Sequence, residues 1–561
     1  MSTPEFINLK MALSETKRGI SLINEQGNGF ITTEPDQING QAKYDHPFIE
    51  RIKPEAFLKG GALISVLADD DVLSTFNKDG HWSDLPRFRI AGAPKAYKLD
   101  PTHLKVGVLT AGGNAPGLDA IVDALVKRQF LLGTESCNLR KIKLDKEGYP
   151  PDLKFYGIVG GYYGLQTMKG AKDSRWIREL KPRLTDTWAA RGCSSLHALR
   201  TPSIPPEKNR EYTDFINDLA VNVRELELDI LYTIGGNGTM TVANKLGEIL
   251  LHDGKKRCLV VAGPKTMDND INFTDATFGY RTTVDNTIQF LRDFHREAET
   301  LERVGIVELF GADSGFVALH SAYASGEADY VLIPEMMGST MDDARKELLN
   351  AVTRIKERTQ TNNHALLVVA EGATIRANAV IMADESQAKL RIINQLYETE
   401  TLLKELSLKD TEDDKKKIEN QFSDLNELVQ KMTFEKISGS QESKGFFHNN
   451  KAEQDKAFMS LVKFFDQNPD HKAFFNQPRH LIRATPPNGF DMDLCKYTGK
   501  LMVDTALSGY TRCAIHLWQG NYVIIPLETA IAKLKRVDTT DYYFTTMIEK
   551  YTLRSIKLAH A

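Results

Sequence analysis

The chain has 561 residues, 41% hydrophobic and 26% charged, which is the make-up of a soluble protein with two to four domain-sized units and ample apolar material for a core. A formal net charge of −4 and a pI near 6.4 exclude a global attraction to nucleic acid or anionic membrane, so any anion site has to be local. The five cysteines, at 137, 193, 258, 495 and 513, contain no CxxC pair and argue against a disulfide framework. The first twenty residues lack the apolar core of a signal peptide, and no run is long enough to span a bilayer. A cytoplasmic protein is expected.

Residues 1 to about 100 are irregular, with scattered Pro and Gly, one apolar run from Leu63 to Leu67 and the acidic cluster Asp69, Asp70 and Asp71. They read as an extension wrapped on a larger domain. From Lys105 the texture changes. The run Val106-Gly-Val-Leu-Thr110 predicts a buried strand, Ala111-Gly112-Gly113 a turn, and the stretch from Pro116 through Leu125 a helix. The same unit recurs as a strand at Ile230 to Ile234, the turn Gly235-Gly236-Asn237-Gly238-Thr239, and a helix from Met240 to Leu251. Glycine lets backbone N–H groups approach a phosphate closely, and the following helix N-terminus adds a positive dipole. Glycines also serve tight strand-to-helix packing with no ligand.

A third strand, Cys258 to Ala262, leads into Gly263-Pro264-Lys265-Thr266-Met267-Asp268-Asn269-Asp270. A lysine, a threonine and two carboxylates in one turn suit phosphoryl transfer, which needs positive charge on the phosphoryl oxygens, a base beside the attacking hydroxyl and a held metal ion. A surface turn in which Pro, Asn and Asp serve only the backbone is the alternative. Further strands are expected at Gly305 to Leu309, Tyr330 to Ile333 and Ala365 to Val369, alternating with helices such as Met341 to Arg358. Alternation of this kind implies an α/β fold with parallel sheets covered on both faces, whose ligands gather at the carboxyl ends of the strands. Residues 388 to 432 keep helical spacing on either side of the charged break Lys409 to Lys417, and predict a helical hairpin.

Taken in order, these motifs resemble the phosphofructokinase family from about Phe88 to Leu527. Val108 to Gly117 resembles its first glycine loop, Ile234 to Thr239 its second, and Pro264 to Asp270 its catalytic loop. Phe310-Gly-Ala-Asp-Ser-Gly-Phe316 resembles the loop that cradles the sugar phosphate, and Ala370-Glu371-Gly372 the strand end whose glutamate hydrogen-bonds the sugar. His480-Leu-Ile-Arg483 resembles the segment that clamps the phosphate. Phe88 to Pro94 and the stretch from His480 to Pro526 resemble the ATP-using branch with an N-terminal extension and a lysine in its catalytic loop.

The resemblance implies two Rossmann-like three-layer subdomains. The nucleotide-binding one would span 101–279, with a return after about 484. The sugar-phosphate-binding one would span 280–387 and 433–483, with the hairpin 388–432 inserted and 484–561 packing across both. It implies transfer from MgATP to the 1-hydroxyl of fructose 6-phosphate, a glycolytic step, by a homo-oligomer. In this picture Asp268 is the general base, Thr266 and Lys265 contact the phosphoryl group, and Arg200 bridges phosphates with its planar fork. ATP would meet Gly113, Gly236, Asn237, Gly238 and Thr239. The sugar phosphate would meet Arg303, often supplied by a neighbouring subunit, together with Phe310, Gly311, Ala312, Glu371, His480 and Arg483. Mg2+ would be held by Asn237 and Asp270. Glycine at 238 leaves room for the α-phosphate of ATP, whereas aspartate there favours pyrophosphate.

The chain departs from the family at four places. Asn237 replaces a metal-binding aspartate and removes a charged ligand from a hard cation. Asn114 replaces an aspartate of the first loop, Ala312 an arginine of the sugar loop, and Phe310 a methionine. A pyrophosphate-dependent enzyme, a kinase for another acceptor, and an impaired member acting as a regulatory or structural subunit therefore stay open.

Overall fold

The computed structural model describes residues 33–48, 63–65, 87–170, 172–199, 210–252, 257–384, 451–467 and 471–552. The expected hairpin at 388–432 and Arg200 lie outside them. The chain divides into two compact units. The first comprises Met1–Asp285 with His480–Lys535, and the second Asn286–Arg479 with Arg536–Ala561.

In the first unit a nine-stranded sheet runs in the order Leu63–Ser65, Arg87–Ile90, Asn521–Pro526, Cys513–Trp518, Leu259–Pro264, Ile230–Gly235, Lys105–Thr110, Lys154–Ile158, Ile177–Glu179. Its middle five strands, Cys513–Trp518 through Lys154–Ile158, are parallel. The remaining four pair antiparallel at the two sides, so the sheet is mixed at its edges where the alternation of strands and helices predicted a parallel one. Asn521–Pro526 arrives from Cys513–Trp518 by a tight hairpin, and Ile177–Glu179 turns back beside Lys154–Ile158 after the short helix Gly161–Thr167, so strand–helix alternation alone does not fix their direction.

The apolar runs are continuous because both faces of this sheet are covered. Ile230, Tyr232 and Ile234, with Leu259 and Val261, enter one core. The intervening Leu231, Val260 and Ala262 enter the other. The helices Leu118–Arg140 and Gly489–Leu507 close the first core, and Arg210–Glu225, Asn237–His252 and Leu527–Ile531 the second. Within the first core side, Arg128 Nη2 donates to both oxygens of Asp504 at 2.9 Å, and Tyr97 donates to the same carboxylate at 2.6 Å.

In the second unit four strands are all parallel, in the order Tyr330–Leu332, Ala365–Ala370, Val304–Leu309, Ala473–Asn476. The helix Met341–Asn362 begins at a capping box between Thr340 and Asp343. None of the five cysteines forms a disulfide. Among the described residues no helix is long and apolar enough to cross a membrane.

Candidate active site

In the first unit the three turns singled out from the sequence follow adjacent parallel strands at their carboxyl ends, since Lys105–Thr110, Ile230–Gly235 and Leu259–Pro264 are neighbours. Gly112 adopts φ +86, and a Cβ there would sit 3.3 Å from the Lys265 ammonium and 3.8 Å from the Thr239 hydroxyl. Glycine therefore serves both the left-handed backbone and the close approach of two functional side chains. Lys265 is 5% exposed and its ammonium donates to the Gly113 carbonyl oxygen at 2.5 Å. The Arg483 guanidinium lies 3.9 Å from a Cβ built on Gly113, and a Cβ on Gly236 would lie 3.3 Å from the Lys265 carbonyl oxygen. Gly113, Gly236, Thr239, Lys265 and Arg483 are thus brought together.

The helix Asn237–His252 starts at the second turn, and Tyr162 fixes that start by donating to the Thr239 carbonyl at 2.9 Å. The Asn237 side-chain carbonyl oxygen is buried and accepts no hydrogen bond. Nothing lies within 4 Å of a Cβ built on Gly238.

The Pro264–Asp270 turn is held by its own side chains. The Asp268 N–H donates to the Thr266 hydroxyl at 3.1 Å. Asn269 sits at φ 55, and its Oδ1 accepts from the Thr277 N–H at 3.0 Å. The Thr277 hydroxyl donates to the Thr266 carbonyl at 2.6 Å, and the Lys535 N–H to the Asp270 carbonyl at 2.9 Å. Asn and Asp enrichment here does answer a backbone demand, and the same bonds fix the segment from which Asp268 and Asp270 project.

Two features of this unit had a weaker sequence signal. Asp119, 1% exposed at the start of Leu118–Arg140, accepts from the Ser195 N–H at 2.7 Å and the Ser195 hydroxyl at 2.6 Å. Burial pushes its carboxyl up, against those two bonds and the Arg191 charge. A Cβ on Gly192 would fall 1.9 Å from the Ala484 carbonyl. Together they seat the segment that leads towards Arg200. An acidic residue inside the apolar run Leu118–Leu125 was the available signal.

In the second unit Phe310, Gly311 and Ala312 follow the strand Val304–Leu309, and Glu371 follows its neighbour Ala365–Ala370. The Gly372 N–H donates to the Gly311 carbonyl at 3.0 Å, and a Cβ on Gly372 would meet the Ala312 carbonyl at 2.0 Å, so the two strand ends are locked together. Gly315 is fixed by its N–H donating to Glu335, a carboxyl raised by burial. Arg303 precedes Val304 and so stands at the other end of the strand from Phe310, about 23 Å away at ~3.3 Å per residue. Within one chain these residues are not brought together. His480 and Arg483, on the short helix Arg479–Arg483, already belong to the first unit.

Sequence reasoning missed Glu308 altogether. It is 3% exposed near the carboxyl end of Val304–Leu309 and receives Gln477 at 2.5 Å and Arg479 at 2.9 Å on one oxygen. A lone charge inside an otherwise apolar strand was the signal.

Among the described residues no three His, Cys, Asp or Glu side chains cluster as a metal site. The orphaned Asn237 oxygen is nevertheless of the right kind for a hard cation, and a Mg2+ ion that arrives with a nucleotide needs only one or two protein oxygens.

The Phosphofructokinase family model matches residues 145–506, more than half of the chain. The ATP-dependent 6-phosphofructokinase of Entamoeba histolytica is 26% identical over 501 residues, covering 89% of this chain and 91% of its own. The pyrophosphate--fructose 6-phosphate 1-phosphotransferase of Streptomyces coelicolor is 32% identical over 284 residues, 50% of this chain and 69% of its own. Among solved structures, the Pichia pastoris phosphofructokinase in the T-state superposes with a TM-score of 0.51 at 17% identity, over 80% of this chain. This chain spans 39% of that one, and the likeness concerns the fold. Over the span that the family model covers, this chain is a member of the phosphofructokinase family.

Proposed function

We propose that this chain is an ATP-dependent 6-phosphofructokinase that converts fructose 6-phosphate to fructose 1,6-bisphosphate. The observation that carries the reading is the convergence of two glycine turns and the Pro264–Asp270 turn at the ends of three adjacent parallel strands. Backbone N–H groups of the two glycine turns and the N-terminus of Asn237–His252 would bind the donor phosphates. The open space beside Gly238 supports ATP over pyrophosphate, as does the Entamoeba relative's name.

Asp268 takes the proton from the sugar's 1-hydroxyl as that oxygen bonds to the γ-phosphorus. The bond from the γ-phosphorus to its bridging oxygen breaks, and ADP leaves with the electron pair. Thr266 accepts from Asp268, so its own O–H is left to donate to the moving phosphoryl group. Lys265, anchored on Gly113, adds positive charge beside the first turn. Mg2+, with Asn237 and Asp270 as its protein oxygens, would neutralise phosphate charge. Arg200, Glu371, His480 and Arg483 are assigned to phosphate and sugar as the family motifs imply. Arg303 would serve the site of a second copy in a homo-oligomer. The compartment proposed is the cytoplasm.

Purified protein assayed with fructose 6-phosphate, Mg2+ and either ATP or pyrophosphate tests this. Product with ATP is expected. Product with pyrophosphate alone would favour the alternative suggested by the Streptomyces relative, and no product with either would leave a regulatory or structural subunit.

A further inference from the structure

Glu308 is the one charged residue of Val304–Leu309. Its register partner on one side is Val369, one pair before Leu309 meets Ala370, so Glu371 begins just past the same edge. On the other side Val307 pairs with Asn476, which places Gln477 level with Glu308. Gln477 and Arg479 both donate to Glu308 Oε2, and the other arm of Arg479 reaches Asp455 at 3.2 Å on the helix Lys451–Asp466. Burial and the Glu371 charge push the Glu308 carboxyl up to about 7, against the pull of Arg479. Arg479 in turn is favoured in its charged form by Glu308, Glu371 and Asp455, against burial.

A buried ion pair is a poor device for stability, because apolar side chains of similar volume often do as well. This one stands at the carboxyl end of a parallel strand, where ligands bind in such sheets. Glu308 stands two residues before the loop Phe310–Phe316, and its register partner Val369 two residues before Glu371.

We propose that Glu308 and Arg479 are positioning residues for the acceptor sugar: Glu308 and Asp455 hold the Arg479 guanidinium beside Glu371, and Arg479 orients that carboxylate to accept the sugar's hydroxyls. The proposal rests on the phosphosugar kinase reading above. The charged groups around Glu308 are Glu371 from the helix at 371–384 and Arg479 from the segment after Ala473–Asn476, with Asp455 behind Arg479. Protonating Glu308 releases one arm of Arg479. Affinity for the sugar therefore falls as pH drops through the Glu308 titration, while the nucleotide contacts are untouched.

The test compares Arg479→Met, Arg479→Lys and Glu308→Gln with the wild type, reading KM for fructose 6-phosphate, KM for ATP, kcat, and the pH dependence of each between pH 6 and 8. Arg479→Met is expected to raise the sugar KM about tenfold, with ATP KM and kcat within about twofold. Arg479→Lys should recover part of the loss, and Glu308→Gln should flatten the pH dependence of the sugar KM. Equal rises in both KM values, or variants indistinguishable from wild type, overturn the proposal and leave the kinase reading standing. If Arg479→Met does not fold, the near-isosteric Glu308→Gln and Arg479→Lys carry the comparison. If the wild type has no turnover, calorimetric titration with fructose 6-phosphate decides. Weaker binding by the variants supports the positioning role, and no binding to the wild type sinks the proposal together with the kinase reading.

Discussion

The ammonium of Lys265 donates to the carbonyl oxygen of Gly113, joining the turn after Leu259–Pro264 to the turn after Lys105–Thr110. A lysine placed by its sequence beside a phosphoryl group is thus also a strut between two loops. Lys265→Met removes a charge-assisted bond and strands a carbonyl, which costs about 1.5–3 kcal/mol of stability. We expect a lower Tm and at least about a tenfold fall in kcat, because the loops that must hold a donor lose their tie. Unchanged melting and turnover would show the contact to be incidental.

Gly238 tests the donor. A Cβ there meets nothing, so Gly238→Asp should fold with a Tm close to wild type, as surface substitutions usually change stability by less than about 0.5 kcal/mol. Its new carboxylate would occupy the space assigned to the α-phosphate and repel it. KM for ATP should rise at least about tenfold, while any activity with pyrophosphate is spared. Steady-state kinetics with both donors measure this, and an ATP KM that does not move would remove residue 238 from donor selection.

The strands and the glycine turns were legible because their information is local: apolar runs ending in glycine need no distant partner to be read. The Pro264–Asp270 turn was legible for the same reason. What local sequence could not supply were pairings across the chain. Lys265 and Gly113 are 152 residues apart, and Glu308 and Arg479 are 171 apart. The antiparallel pairing of Arg87–Ile90 with Asn521–Pro526 likewise joins segments more than 400 residues apart in the sequence. Arg303 shows the converse: its spacing to Phe310 was readable, but the straight strand between them sets the two at opposite ends.

Asn237 bears on the metal. Its carbonyl oxygen is buried without a partner, so Asn237→Asp would put a charge where a neutral ligand now stands. The Mg2+ concentration for half-maximal turnover is expected to fall severalfold. The substitution also sets a negative charge at the start of Asn237–His252, which stabilises a helix by about 0.3–1 kcal/mol without any metal. The informative quantity is therefore the Mg2+-dependent part of the Tm shift in the presence of ATP, alongside the kinetics. A Mg2+ dependence equal to wild type would mean that residue 237 is not a ligand.

His516 and Glu308 act in opposite directions on the acid limb of stability. His516 is fully buried with Nδ1 against the Phe273 carbonyl at 3.0 Å, and burial lowers it from 6.5 to about 4. The unfolded chain takes up that proton near pH 6.5 and the folded one resists until about pH 4. Stability is therefore lost as pH falls through this window, by about 2 kcal/mol between pH 7 and 5. Glu308 is raised from 4.5 to about 7, so the folded state takes up its proton first. Stability is then gained on acidification, by about 2 kcal/mol over the same interval. In the wild type the two largely cancel. Glu308→Gln should steepen the loss of stability from pH 7 to pH 5, and His516→Gln should make it shallower, each by about 2 kcal/mol in urea unfolding at the two pH values. Changes in the same direction for both variants would contradict the assignment of either group as buried and shifted in this way.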